Sequence, residues 1–377
     1  MEPEVKNFAE DGDALYFTLK GVEVSLSNAL RRTILSDIPT VVIETEPYEK
    51  NQCNIIINTG RLHNEILKQR LSCIPIHTTI LRDTEEKSLP GNYSLFVDVK
   101  NESENIMYVT TEDFQLRDKK TNTILSKDEQ EKLFPGLFPK NIQTQSYIDF
   151  ARLRPSIGND IPGEQLSLVA DFSVNIAKES SMFNVVSKCA YGNTPDKEAA
   201  ITVWDKLETK MRSNGESDVD IKFQKDNFRI LDSQRHFVPN SFDFVIQSVG
   251  VYDNKDIIRK ACAVLQNKFI DIVQLIDSSV MLILTGETTM DNCYDIQLQD
   301  EDYTIGKIIE YLLYSKFYEK QGTLSFCGFK KFHPHDTKSI VRIAFKEKQD
   351  KSVVGVYLRE VCVDAQQVFK DIHGMFK

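Results

Sequence analysis

The stretch Ser25-Leu-Ser-Asn-Ala-Leu-Arg-Arg-Thr-Ile-Leu-Ser-Asp-Ile-Pro39 constrains the chain more than any other. Leu26, Ala29, Leu30, Thr33, Ile34 and Ile38 recur at helical spacing and make one apolar face. Ser25 or Ser27 is placed to cap the first turn, where a hydroxyl accepts a bond from a free N–H. Pro39 stops the helix, because the residue before a proline is pushed out of helical angles. Arg31 and Arg32 sit in the middle of this helix. Successive helical residues point about 100° apart, so the two cannot both be buried against one surface. Two readings follow. One is a core helix with two solvated arginines. The other is a helix whose apolar face lies in a dimer core while at least one arginine is offered to another protein.

The chain has 377 residues, enough for more than one domain and a sizeable core. Its net charge of −10 argues against nucleic acid as the main partner, since phosphate binding needs a clustered positive surface. Met1-Glu-Pro-Glu-Val-Lys is charged from the start and has no apolar h-region, so no secretory leader is expected. No run approaches the ~18 apolar residues of a membrane span, so no membrane partner is expected. Cys53, Cys73, Cys189, Cys262, Cys293, Cys327 and Cys362 are widely spaced with no CxxC, which suits free thiols in a reducing compartment.

Alternation and turn signals predict two strands in residues 3–23 around Asp11-Gly-Asp13, and a β-branched strand from Thr40. A strand ending at Asn58-Thr59 leads into a helix to about Ser72, with Leu62, Ile66 and Leu71 on one face. Residues 76–165 are less regular, with strands at 93–99 and 107–111, a solvated charge run at 127–132 and a Pro/Gly loop after it. Residues 166–174 read as a strand. Thr194-Pro195 opens a helix in cap-and-first-position order, with Ala200, Val203, Trp204, Leu207 and Met211 on its face. A strand at 242–251 precedes a long helix at 254–276, lined by Ile257, Ile258, Ala261, Leu265, Phe269, Ile272 and Ile276. The last hundred residues repeat that logic. A strand at 295–298 is followed by a helix opening at Thr304, with Ile305, Ile308, Ile309 and Leu312 inward. Two strands come next, at 324–335 and 339–345. A final helix at about 350–374 carries the stripe Val354, Leu358, Val361, Ala365, Val368, Phe369 and Ile372.

Asn28-Ala-Leu-Arg-Arg-Thr-Ile-Leu-Ser-Asp-Ile-Pro39 resembles the first helix of the alpha-type assembly subunits of multisubunit RNA polymerases: the bacterial alpha subunit, the archaeal D-type subunit and the third-largest eukaryotic subunit. A second family signature is an Asn-Thr turn before a helix ending Arg-Leu-x-x-Ile-Pro. It is matched at Leu62, Glu65, Arg70, Leu71, Ile74 and Pro75, with Gln69 and Ser72 where His and Gly are usual. The C-terminal block resembles the archaeal L-type subunit and the eleventh eukaryotic subunit. Its marks are Asp302-Tyr-Thr-Ile-Gly306, Gly328-Phe-Lys330 and His333-Pro334, with Tyr303 where His is usual. The whole looks like a D-type subunit fused to an L-type subunit, as encoded by large cytoplasmic DNA viruses.

The resemblance implies an α+β fold with two dimerisation domains, each a short antiparallel sheet plus two helices, paired within one chain. The first spans 1–41 and 240–280 and carries an inserted, mainly β domain at 42–239. A linker at 281–289 leads to the second at 290–377. It implies subunit contacts at Asn28, Arg31, Arg32, Glu65, Arg70, Ile305, Gly306 and Phe369, with the arginine helix against the second-largest polymerase subunit. The expected partners are the largest and second-largest subunits and small assembly subunits, with little direct nucleic-acid contact. The expected location is the virion and host cytoplasm.

The residues themselves offer no catalytic constellation. His333 and His335 lack further nearby ligands, the cysteines have no ligand-pair spacing, and no Gly-rich phosphate loop follows a strand. Asp300-Glu-Asp302 reads as favourable charge at a helix N-terminus. No metal, cofactor or catalytic residue is therefore expected. An α+β enzyme with a site formed only in three dimensions, or a binding adaptor outside transcription, is the alternative.

Overall fold

A computed structural model of the chain describes residues 1–77, 89–158, 160–278, 280–286 and 290–376. The chain opens with β1 (Glu4–Asp11) and β2 (Ala14–Lys20), then α1 (Val24–Ser36) and β3 (Thr40–Val42). Gly12, at φ +58°, makes the first hairpin turn. Next come β4 (Cys53–Asn58), α2 (Asn64–Ser72) and a four-residue turn, α3 (Leu89–Asn92), whose Pro90 and Gly91 are not helical. β5 (Tyr93–Lys100), β6 (Met107–Thr110), β7 (Gln115–Asp118), α4 (Lys127–Leu133), β8 (Asp149–Leu153), β9 (Gln165–Asp171) and β10 (Ser173–Asn175) follow. Then come β11 (Val186–Pro195), α5 (Lys197–Ser213), α6 (Asp218–Ile230), β12 (Phe237–Ser248) and α7 (Asn254–Asp277). The last elements are β13 (Ile283–Thr285), β14 (Cys293–Gln299), α8 (Tyr303–Leu313), β15 (Leu324–Lys330), β16 (Lys338–Phe345) and α9 (Lys351–Met375). The fold class is α+β, with antiparallel strand pairs.

The chain divides into two compact units. The first holds residues 1–34, 188–247 and 254–377. It contains two four-stranded sheets, ordered β1-β2-β12-β11 and β13-β14-β16-β15. In the first sheet Phe244 pairs with Phe17, their rings stacked at 5.1 Å. In the second, Arg342 sits opposite Asp295 and bonds both its carboxylate oxygens at 2.6 and 2.7 Å. α7 packs along α9. Phe269 stacks on Phe369 at 6.3 Å, Ile276 lies beside Gly355, and Asp277 pairs with Arg359, so the helices run antiparallel. Every residue of the predicted α9 stripe is buried, and every one on α7 except the half-buried Ile276. Such apolar stripes cannot be left in water, and pairing them covers both. α5 and α6 form a hairpin with a small core of Ala200, Trp204, Met211, Ile221 and Phe228.

The second unit holds residues 35–187 and 248–253. Its main sheet is β4-β9-β5-β7, with smaller pairs β6-β8 and β3-β10. α2 contributes Leu67 and Leu71 to a core with Leu95, Val97, Leu116, Phe150, Leu166 and Leu168.

Several local expectations are corrected. α1 is not capped by Ser25 or Ser27. The Glu23 carboxylate accepts from the Ser25 N–H at 2.6 Å, while the Ser27 hydroxyl is buried without a hydrogen-bond partner. On α2 it is Leu67, not Ile66, that turns inward; Ile66 is 42% exposed. Pro195 ends β11 instead of starting a helix, and Asp196 caps α5 by accepting from the Ala199 N–H at 2.9 Å. Val203 and Leu207 lie on the exposed side of α5. The 127–132 charge run is solvated as expected, and it also forms a helix, opened by a reciprocal Ser126–Glu129 capping box. Residues 283–285, inside the expected linker, pair with β14, and 287–289 lie outside the described residues, as does 78–88 of the irregular stretch.

Candidate interface site

The site is built on α1. Its apolar stripe, Leu26, Ala29, Leu30, Thr33 and Ile34, is buried, which leaves Asn28, Arg31 and Arg32 half-buried on the remaining faces. The two arginines part ways. Arg31 donates from Nε and a terminal nitrogen to Asn28 Oδ1, at 3.0 and 2.9 Å, one helical turn back. Arg32 reaches the start of α8, donating to Asp302 Oδ2 at 2.7 Å and to Thr304 Oγ1 at 2.8 Å. Asp302 Oδ1 meanwhile caps α8 by accepting from the Thr304 N–H at 2.8 Å. One carboxylate thus ends a helix and holds the arginine. Arg32 is an internal brace in this chain; its side chain keeps 38% exposure.

Behind that corner Ile305 is fully buried and Gly306 is packed under Phe329. A Cβ on Gly306 would come within 2.0–2.5 Å of the Phe329 ring, so only glycine lets α8 approach β15 this closely. Phe369 is fully buried on α9. Ile305, Gly306 and Phe369 therefore act inside the first unit.

Beside α1 opens a cleft of about 530 Å³. Glu23, Ser25 and Asn28 line one side, Tyr303, Lys307 and Tyr311 of α8 the other, and Tyr191 and Tyr314 close it. Burial raises the Tyr191 hydroxyl, with Arg31 opposing; burial and the Glu23 charge raise that of Tyr311. Both phenols stay neutral at physiological pH. A cleft walled by neutral phenols suits contact with another protein surface, where tyrosine gives large area with a polar tip.

Glu65 and Arg70 lie in the second unit. Glu65 is exposed in the first turn of α2. Arg70 ties α2 to β8, donating to the carbonyls of Phe150 and Asp149 at 2.9 and 2.7 Å. Among the described residues no group of three or more His, Cys, Asp or Glu is placed to hold a metal, and no helix is long and apolar enough to cross a membrane. All seven cysteines are free thiols; burial pushes those of Cys189, Cys327 and Cys362 up to about 12, so they stay protonated. In the sequence Asp302 reads only as a helix-start acid, and Glu23 and Tyr191 do not stand out. A carboxylate two residues before a helical Thr was the visible signal for the first; nothing in the local pattern signals the others.

The sequence pattern of the RNA polymerase Rpb3/Rpb11 dimerisation domain matches residues 16–269, more than half of the chain. The chain belongs to that family. The match runs from β2 into α7, so it includes the arginine helix and all of the second unit. Among similar proteins is the DNA-directed RNA polymerase subunit Rpo3 of Pyrococcus furiosus, 36% identical over 106 residues, 28% of this chain and 38% of that one. The Rpo3 of Methanobrevibacter smithii is 26% identical over 199 residues, covering 52% and 60%. The DNA-directed RNA polymerases I and III subunit rpac1 of Dictyostelium discoideum is 24% identical over 197 residues, covering 51% and 52%. The chain thus spans between 38% and 60% of the length of these relatives.

Proposed function

We propose that this Rpb3/Rpb11-family chain is a non-catalytic assembly subunit of a DNA-directed RNA polymerase, with two alpha-like halves joined in one polypeptide. The observation that carries the proposal is the α7–α9 seam. The family match ends at residue 269, inside α7. The residues beyond it supply a second four-stranded sheet and two more helices, and the apolar stripe of α9 meets that of α7. In this reading the first half spans 1–41 and 240–280, interrupted by an inserted domain at 42–239, and the second spans 290–377. A short tether gives an effective concentration in the mM range, which favours pairing within the chain. The half-buried Asn28 and Arg31 and the tyrosine cleft would then face the second-largest subunit. Catalysis would belong to the two large subunits. The resemblance to viral fusions extends the proposal to an enzyme of a large DNA virus, working in the virion and host cytoplasm.

Co-expression of the tagged chain with the two large subunits tests the proposal. A stoichiometric complex is expected, with cross-links joining the 254–276 and 350–374 regions within single chains. Cross-links found only between chains would remove the fused-pair reading. A chain that stays alone in the presence of both large subunits would remove the assembly role.

A further inference from the structure

The second unit carries a groove of about 580 Å³ between the loop before α2 and the β6–β8 pair. Four arginines line it, Arg61, Arg70, Arg152 and Arg154, in a chain of net charge −10. Two are occupied. Arg70 holds the Asp149 and Phe150 carbonyls. Arg154 grips the buried Glu164, Nε to Oε1 at 2.6 Å and main-chain N–H to Oε2 at 2.8 Å. Burial raises the Glu164 acid, but the Arg154 bonds and the charges of Arg154 and Arg61 outweigh it and hold the group below the usual carboxylate range. Glu164 is thus a fixed anion that answers Arg154. Arg61 and Arg152 are both exposed, and neither has an ion-pair partner among the described residues. Beside them Ile106 and Tyr108 are each 53% exposed, and Tyr108 stands directly opposite Arg152 across the strand pair, on the same face.

We infer that this groove docks an acidic segment of a partner protein, its carboxylates on Arg61 and Arg152 and one apolar side chain on Ile106 and Tyr108. The guanidinium fork matches a carboxylate with two parallel bonds, and it desolvates more readily than an ammonium. A nucleic-acid strand fits less well. The apolar pair has no counterpart in a sugar–phosphate chain but takes a leucine-sized side chain. The groove is closed in extent, whereas a strand is tracked by a long basic stripe.

The inference does not depend on the polymerase reading, because its test uses the full chain alone. Fluorescence anisotropy would follow a short dye-labelled peptide of alternating glutamate and leucine at low salt. Binding is expected, weakening at least about tenfold in the double variant Arg61→Gln, Arg152→Gln. An analogue with glutamine for glutamate is expected not to bind. The variant should melt close to the parent chain, since both arginines are exposed and neither has an ion-pair partner among the described residues, so its loss of binding reads the groove itself. Equal binding by the variant, equal binding of the glutamine analogue, or no binding of the acidic peptide would each overturn the inference. Tighter binding of an oligothymidylate of similar length would overturn it in favour of a nucleic-acid site.

Discussion

The α7–α9 seam and the α1–α8 corner lie in the same unit and are built by opposite means. The seam has an apolar core, with one ion pair, Asp277–Arg359, at its end: Ala261, Leu265 and Phe269 face a partner stripe that includes Val361, Ala365 and Phe369, all buried. The corner is polar and half open, resting on Arg32, Asp302 and Thr304. Apolar burial scales with area and has no preferred direction. Charge-assisted bonds from a planar fork are directional, and they are worth less where water reaches them. The seam therefore carries stability, and the corner fixes how the start of α8 meets α1.

The largest expected effect is at the seam. Phe369→Ala removes a fully buried ring and its stacking on Phe269 at 6.3 Å. A loss of about 3–5 kcal/mol is expected for such a truncation. Urea unfolding of the full chain would read it. A loss below about 1 kcal/mol would mean that the seam yields and refills, and the contrast with the corner would fail.

That asymmetry also governs what could be read in advance. The stripes of α7 and α9 repeat every three or four residues, so the sequence carries the seam in its period, and the burial of Val354, Leu358, Val361 and Phe369 follows it. The corner leaves no period. Arg32 and Asp302 are 270 positions apart, and only the folded sheets bring them together. The same holds for Arg70, whose partners are main-chain carbonyls that any residue would supply. Short strands such as β7 and β8 were invisible because their few residues alternate too briefly to show a period of two. α6 escaped because its buried residues, Ile221 and Phe228, are seven apart, while Val219, Phe223 and Ile230 face outward. In the candidate site the arginine pair stood out as a pair, but which one faces a partner was set by contacts the local pattern does not hold.

Gly306 sits on α8 against β15. Its missing side chain is what lets α8 sit against Phe329, the nearest ring atom being 2.0 Å from where a Cβ would be. Gly306→Ala should gain a little helix propensity and lose more to overpacking, for a net cost of about 1–3 kcal/mol. Thermal denaturation would read the loss. Adding Phe329→Leu should restore part of it by withdrawing the ring. If Gly306→Ala is neutral, the ring moves freely, and the approach of α8 is set by the polar corner alone.

The finest test separates neighbouring arginines. Arg32→Ala deletes two charge-assisted bonds, one to a carboxylate whose other oxygen still caps α8. The Arg32 side chain is 38% exposed and that of Asp302 25%, so water relieves much of the loss and about 1–2 kcal/mol is expected. Arg31→Ala removes hydrogen bonds within its own helix, to Asn28, and should cost less than about 0.5 kcal/mol. Asp302→Asn sharpens the comparison, because asparagine caps a helix nearly as well while giving up the charge. In a double-mutant cycle with Arg32→Ala it should show a coupling of about 1 kcal/mol, and none with Arg31→Ala. Binding to a polymerase large subunit should invert the ranking. If Arg31 is the residue presented outward, Arg31→Ala should weaken assembly while leaving the melting temperature alone, and Arg32→Ala should act on assembly only through the fold. Equal melting losses for the two variants, or coupling of Asp302 to Arg31 instead of Arg32, would show that the corner is not the brace its geometry describes.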